Sequence, residues 1–378
     1  MSGNSEILSP IDPDFKKETP PMGDLERRLS HALSIHSVVS TSSSSAEINT
    51  TPSFTKIGAG ACGAIFAEAG KSLVAKLAKN PGLELWNDYK MHTLIYEKAT
   101  PLGARIRIPR PYFFVPGDDA EYFEKHTTLV EAAEDICNLP THVLVTERIV
   151  PLPQITRTLL IEKYCSPHLQ PSALACAGNR DCLVRVYLGS SNGKSGRSFF
   201  SLRNFKLHLN QLAELDLDLD TITSRMAEAL AIMHWAAKTD ARDVEFVLGH
   251  SAQEIPISPK THDEISNMEP NSFTGPSSRV HDDFFHRTTE LWLLDFNQVW
   301  PVTMDQAGVD GMVDAFKAND PYYPRPLQEG QFARRLWNQF VENYLSVADS
   351  IMGEMKQLPR LFLEGIIEAE RAKAQRNA

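Results

Sequence analysis

Between Asp220 and Gly249 the hydrophobic period of this chain changes from helical to alternating, and carboxylates crowd the change. Ile222, Met226, Leu230 and Met233 recur at helical spacing over Asp220 to Lys238. From Asp243 the period drops to two: Val244, Phe246 and Leu248 point one way, Asp243 and Glu245 the other. An amphipathic helix thus delivers Asp240, Asp243 and Glu245 to the start of a strand. Leu291-Trp292-Leu293-Leu294 reads as a second buried strand and ends in Asp295. If the two strands pair, four acids converge, and Arg242 is the basic residue between them. Clustered carboxylates repel, so such a site needs a protonated member or a cation. The plainer reading is that Asp240 and Asp243 only shape the helix–strand turn, a common use of Asp.

Composition narrows what the acids serve. Net charge is −10 over 378 residues, so no global field gathers nucleic acid, and an RNA contact requires a local patch. DNA and membrane are not expected as partners. A hydrophobic fraction of 42% suffices for a large core in one large or two-lobed domain. The first residues carry neither a basic region nor an apolar run, and no apolar stretch approaches a membrane span. Five scattered cysteines make no disulfide framework and predict a reducing, cytoplasmic setting. Cys165, His168, Cys176 and Cys182 have zinc-ligand chemistry at an unfamiliar spacing; they read as ordinary thiols, and no metal site is expected.

Residues 1–52 read as a disordered tail: Ser40 to Ser45 is a low-complexity run, although Leu25, Leu29 and Leu33 have the spacing of a short helix. Order begins at Phe54 with strand, glycine turn, strand, and a third strand Leu73-Val74-Ala75-Lys76-Leu77. Gly58, Gly60 and Gly63 have the one-three-six spacing that lets backbone close over phosphates, though a glycine-containing hairpin explains them equally well. Lys76 stands out as a cation inside an apolar strand. The helical pattern over 82–99 offers Glu84, Asp88 and Glu97 as its acid. Two further strands follow, at Tyr112–Val115 and His142–Ile149, and Pro151-Leu152-Pro153 ends the section. A strand at 181–189, a helix over 199–215, a polar flexible insertion at 250–288 and three C-terminal helical patterns complete the chain.

In order, the glycines, Lys76, Thr146-Glu147, Asp240 and Asp295 resemble a protein-kinase skeleton. The resemblance implies an α+β, two-lobed fold: a small antiparallel β lobe over 53–153 and a larger, mainly helical lobe over 154–375. It would place a glycine-rich loop and Lys76 against phosphates, Asp240 as base and Asp295 at a metal. The sequence departs from the kinase pattern at Lys238-Thr239 before Asp240, at Glu245 in place of asparagine and at Asn297 in place of glycine. Nothing like Ala-Pro-Glu follows.

A closer resemblance rests on Leu85-Trp86-Asn87-Asp88-Tyr89, Thr146 to Pro153, Met226 to Trp235, Asp243 to Gly249, Leu293-Leu294-Asp295-Phe296 and Asn319 to Pro326. These stretches are similar to a family of filamentous-fungal proteins catalogued as a domain of unknown function, sometimes beside zinc fingers. That family looks like the one containing the arginine-containing cyclodipeptide synthases of secondary metabolism. The resemblance implies condensation of arginine with a second amino acid into a diketopiperazine, both taken from aminoacyl-tRNAs. Charged tRNAs, arginyl-tRNA among them, would be the substrates, no cofactor would be required, and tailoring enzymes would act downstream. On this reading Asp243 and Glu245 hold the arginyl group and Asp240 is, or orients, the base, with Gly58, Gly60, Gly63, Lys76 and Asp295 binding the remaining substrate. Ser201 and Cys62 are available nucleophiles without a mark of activation. Arg105, Arg107 and Arg110, or Arg334 and Arg335, are the candidate RNA patches. Two other readings stay open: a phosphotransferase using ATP and Mg²⁺, and a non-catalytic pseudokinase-like interaction module.

Overall fold

The computed structural model describes residues 7–12, 15, 22–35, 38–40, 53–60, 62–68, 70–80, 82–196, 199–254, 285–319, 321–353 and 356–377. The architecture is mixed α+β with two five-stranded sheets. An N-terminal helix α1 (Asp24–Leu33) and a short strand β1 (Val38–Ser40) come first. Strands β2 (Phe54–Ala59), β3 (Gly63–Glu68) and β4 (Leu73–Ala78) lead into helix α2 (Glu84–Ala99). Then come β5 (Pro111–Val115), the short helices α3 (Ala120–Lys125) and α4 (Thr127–Ala133), and β6 (Val143–Glu147).

The first sheet runs β2-β3-β4-β6-β5, antiparallel throughout. Its alternation decides its packing. Phe66, Ala75, Leu77, Val143 and Val145 face Leu129 and Ala133 of α4, and each large member contributes about 1.5–3 kcal/mol by leaving water. The opposite face carries Ala78 and Leu144 against Leu85 of α2. Lys76 alternates with Ala75 and Leu77, so its side chain emerges on the α2 face.

The rest of the chain builds the second sheet and its helices. These are α5 (Gln154–Tyr164), α6 (Gln170–Ala175), β7 (Val184–Tyr187), β8 (Phe205–His208), α7 (Leu209–Glu214), α8 (Leu219–Ala231), β9 (Glu245–Glu254) and β10 (Phe285–Leu294). Three C-terminal helices close the chain: α9 (Gln306–Ala318), α10 (Gln331–Met352) and α11 (Gln357–Asn377). The sheet order is β1-β10-β9-β7-β8, with β7 and β8 parallel. A second, larger apolar cluster gathers Met226, Leu230 and Met233 with Phe246, Leu293, Phe340 and Tyr344. Met91 and Ile95 of α2 belong to that cluster, so α2 joins both units.

Three expectations change. The tail is partly built: Ile7, Leu29 and Leu33 are buried, β1 pairs with β10, and Trp337 Nε1 donates to the Ile7 carbonyl at 3.0 Å. The leucine stripe of α1 finds a core to enter, and this outweighs the polar run beside it; Thr41 to Ser45 lie outside the described residues. The ends of the 250–288 insertion are strand, because Ser251↔Thr288 to Glu254↔Phe285 continue the β9–β10 ladder; residues 255–284 lie outside the described residues. Phe205–His208, expected within a helix, pairs with β7 from Val184↔Phe205 to Tyr187↔His208, and the helix starts only after it. No helix among the described residues is long and apolar enough to cross a membrane.

Candidate functional site

β9 and β10 pair with Glu245 opposite Leu294, which sets Asp295 one residue beyond Glu245's partner. Lys76 reaches the same place from the first sheet. Its ammonium lies 2.6 Å from Asp88 Oδ2 and 2.9 Å from Asp295 Oδ1. Of the three acids offered by α2, Asp88 therefore holds the strand lysine. Burial works against the Lys76 charge, but Asp88 and Asp295 outweigh it and push its pKa up. The same helix fixes the loop after Asp295: Asp88 Oδ1 accepts from Phe296 N at 3.2 Å, and Asn87 Nδ2 donates to the carbonyls of Asn297 and Val299 at 3.0 and 2.9 Å.

Glu245 meets Arg185 of β7, whose Nη2 lies 2.5 Å from Oε1. Burial raises the Glu245 pKa to about 7; Arg185 opposes this, while Asp295 and Asp243 add to it. Asp243 is exposed, and burial of part of its carboxyl, then Asp295, raise its pKa. Gln298 Nε2 donates to Asp243 Oδ2. Among the described residues no Lys, Arg or His forms a salt bridge with Asp243. Asp240 stands slightly apart. Its Oδ1 accepts from Trp300 N at 2.9 Å and Arg242 N at 3.1 Å, and its pKa is raised by burial.

Loop strain concentrates here. Lys238, Ala241, Asp243 and Asp295 have φ of +54°, +55°, +59° and +66°, a region that costs a non-glycine residue about 1–3 kcal/mol unless surroundings impose it. Asn319 supplies part of the imposition. Buried, it accepts from Asp243 N and donates to the Ala241 carbonyl at 2.6 Å. The tyrosines after it lock the strand beside Arg185, with Leu188 N and Gly189 N bonded to the carbonyls of Tyr322 and Pro321.

The glycine stretch is a β-hairpin closed by Gly60 N to Gly63 O at 2.9 Å. Only Gly63 is demanded by packing, since a Cβ there would lie 2.8 Å from the Leu77 carbonyl; Gly60 has open space and Gly58 ordinary contacts. The hairpin brings Cys62 beside Lys76, yet burial raises the thiol pKa, with Lys76 lowering it less. Among the arginines considered for RNA, Arg105 pairs with Glu228 at 3.0 Å and Arg335 with Asp220 at 2.9 Å. Cys165 and Cys182 are buried and Cys176 is exposed, and burial pushes the Cys182 pKa to about 12.

Asp243, Glu245, Asp295 and Lys76 thus share one site, Asp240 ties its floor, and Gly63 lies against Lys76. Arg185, Asn87, Gln298 and Asn319 were not singled out from sequence. Arg185 carried the same signal as Lys76, a lone cation between Val184 and Val186. The chemistry open to such a site is proton exchange near neutral pH at Glu245 and attraction of a cation by the exposed Asp243 carboxylate.

Residues 291–356 match the DUF3669 family, described as "Zinc finger protein". The matched segment carries Asp295, Gln298 and Asn319 and contains neither cysteine nor histidine. No curated protein matches the chain.

Proposed function

We propose that this protein is an arginine-containing cyclodipeptide synthase, which joins arginine to a second amino acid from two aminoacyl-tRNAs. The observation that carries this reading is a carboxylate with a pKa near 7, Glu245, beside an exposed carboxylate, Asp243, that has no salt-bridge partner among the described residues. Aminolysis of an aminoacyl ester needs a base that is half deprotonated at neutral pH. It also needs a counter-charge for an arginyl side chain, which a carboxylate meets as a two-pronged partner. Each step forms an amide C–N bond and breaks an ester C–O bond. The attacking α-amine is neutral; as its lone pair forms the C–N bond, one of its protons passes to Glu245 and from there to the terminal ribose oxygen of the released tRNA. Two such steps close the diketopiperazine. In this scheme Asp243 holds the guanidinium, Glu245 is the base, and Asp240 is a positioning residue whose Oδ1 is engaged by two amides. The resemblance of the chain's motifs to the fungal family supports the same assignment, as does the combination of an antiparallel sheet, one acid-bearing helix and a larger part with a second sheet and most of the helices. The reaction would run in the cytoplasm, where charged tRNAs are made.

The test is expression in a host with its own charged tRNAs, followed by mass analysis of the medium. An arginine-containing diketopiperazine is expected, and soluble folded protein without one would contradict the reading. One observation favours a second reading: Lys76, bridged by Asp88 and Asp295 beneath a glycine hairpin, suits ATP phosphates. Asp295 and Glu245 are the acids that would then face Mg²⁺, with Asp240 as base. Thermal stabilisation by Mg-ATP, without any diketopiperazine, would favour that phosphotransferase.

A further inference from the structure

Four arginines from separate parts of the chain gather where β2, the edge strand of the first sheet, meets the segment leading into β7. Arg203 pairs with Asp181 at 3.1 Å and sends Nη2 to the Lys56 carbonyl of β2 at 3.4 Å. Arg148, just after β6, donates Nη1 to the Glu68 carbonyl at the end of β3 at 3.3 Å. Arg157 near the start of α5 and Arg180, the residue before Asp181, complete the group, and Asp181 is the carboxylate among them.

Arg157 is the member least provided for. Its Nε is buried without an acceptor, and it forms no salt bridge among the described residues. Burial works against its charge and Arg180 adds to that, while Asp181 favours it. Cys182 also lies beside it, but a thiol pushed up to about 12 is neutral at pH 7 and supplies no counter-charge. Helix α5 has no acid in its first turn and no side-chain cap, so it presents its own partial positive charge there. Arg180 is exposed and likewise forms no salt bridge among the described residues. Because Asp181 is engaged by Arg203, the guanidiniums of Arg157 and Arg180 repel each other until an anion joins them.

We propose that Arg157 and Arg180, with Arg203 holding Asp181 beside them, bind backbone phosphates of the aminoacyl-tRNA substrates. The inference rests on the synthase reading and adds the surface that holds the RNA. A guanidinium meets phosphate oxygens with two parallel N–H donors, and phosphate contacts supply affinity without reading bases. In a chain of net charge −10, such affinity has to come from a local cluster. Arg105 and Arg335, two of the arginines considered for this role, are committed to Glu228 and Asp220. The position also suits the reaction. Asp181 stands four residues before Arg185, the partner of Glu245, and four extended residues span at most about 14 Å.

The experiment titrates the full chain with a fluorescent, uncharged arginine tRNA at several salt concentrations. Arg157→Gln/Arg180→Gln is compared with wild type and with Lys90→Gln/Lys98→Gln, which removes the same charge from two exposed positions of α2. The arginine variant should weaken binding about tenfold or more at low salt and flatten the log–log salt slope by about 1.4–1.8, or 0.7–0.9 per phosphate contact. The lysine variant should match wild type. Thermal midpoints report folding, and Arg180→Gln alone, at an exposed position, should still remove about 0.7–0.9 from the slope if the double variant does not fold. Wild type that binds no tRNA at low salt would overturn the proposal. So would an arginine variant indistinguishable from wild type, or a lysine variant that loses as much; either leaves the synthase reading intact. Release of the RNA by a phosphoserine peptide at concentrations where unlabelled tRNA competes would also overturn it and make the cluster a phosphopeptide site. Failure of the synthase reading registers separately, as absence of product in the expression experiment.

Discussion

At Glu245 opposing influences meet within one side chain. Burial, Asp295 and Asp243 raise its pKa to about 7, and Arg185 at 2.5 Å pulls the other way. As a base it acts in its deprotonated form, so the rate of product formation should climb from pH 6 to pH 8 and then level. Glu245→Gln should erase that limb and lower the rate about 10²–10⁴-fold, measured on purified protein with charged tRNAs. Arg185→Met removes the influence that lowers the pKa, so the limb should move to higher pH; a limb that stays in place would assign the titration to another group. Lys76 has a different part. Lys76→Met would leave Asp88, which is almost wholly buried, and Asp295 without their cation, and breaking such a pair costs about 3–5 kcal/mol. A drop of that size in urea-determined stability is expected. The acids and Lys76 were legible in the sequence because each interrupts an apolar pattern. The pairing of Arg185 with Glu245 and of Lys76 with Asp295, which leaves Asp243 without a salt bridge among the described residues, was not, since these groups come from distant strands that only the fold brings together.

Elements position these groups through backbone contacts. Helix α2 reads the 295–299 loop with Asn87 and Asp88, and Asn319, just after α9, reads the 241–243 loop. Asn319→Ala would orphan a buried carbonyl and an amide, a cost of about 1–3 kcal/mol. Because the left-handed residues of the loop depend on it, activity should fall further than stability does. Equal losses of activity and folded protein would reduce Asn319 to a structural role. Gly189→Ala is a second check, since its Cβ would lie 2.5 Å from the Tyr323 carbonyl and displace backbone next to Arg185. The strands of the first sheet, α2 and the three C-terminal helices were readable from periodicity, which survives wherever one face is buried and the other wet. Strand β8 was not. Phe205-Lys206-Leu207-His208 is only one alternation long, and it becomes a strand because β7 offers an open edge. α1 was misjudged for a related reason: its stripe was visible, but the core that buries it is assembled from β10, α5 and α10, far along the chain.

For the molecule as a whole, pH acts through groups of opposite sign: His92 and His234 on one side, Glu245 with the raised Asp240 and Asp243 on the other. Burial lowers His92 to about 4 and His234 to about 3. Their contribution to stability is present above about 6.5 and lost as pH falls towards those values. Glu245 has the reverse sign: raised from 4.5 to about 7, it favours the folded state at low pH and loses that contribution as pH rises between those values. Approaching pH 6.5, where the aspartates are ionised, two histidines outweigh Glu245, so stability should rise with pH up to about 6.5 and dip slightly towards 7, read from urea midpoints across the range. Loss of the dip in Glu245→Gln, with the acid limb intact, would assign each part. The two sheets meet at an acid site in which Lys76 pairs with Asp88 and Asp295, and Arg185 with Glu245; in the proposed function Asp243 takes the guanidinium. The most direct test of that claim is the amount of arginine diketopiperazine released by cells making Asp243→Asn, at folded-protein levels matched to wild type. A fall of at least tenfold is expected, and an unchanged yield would contradict the account.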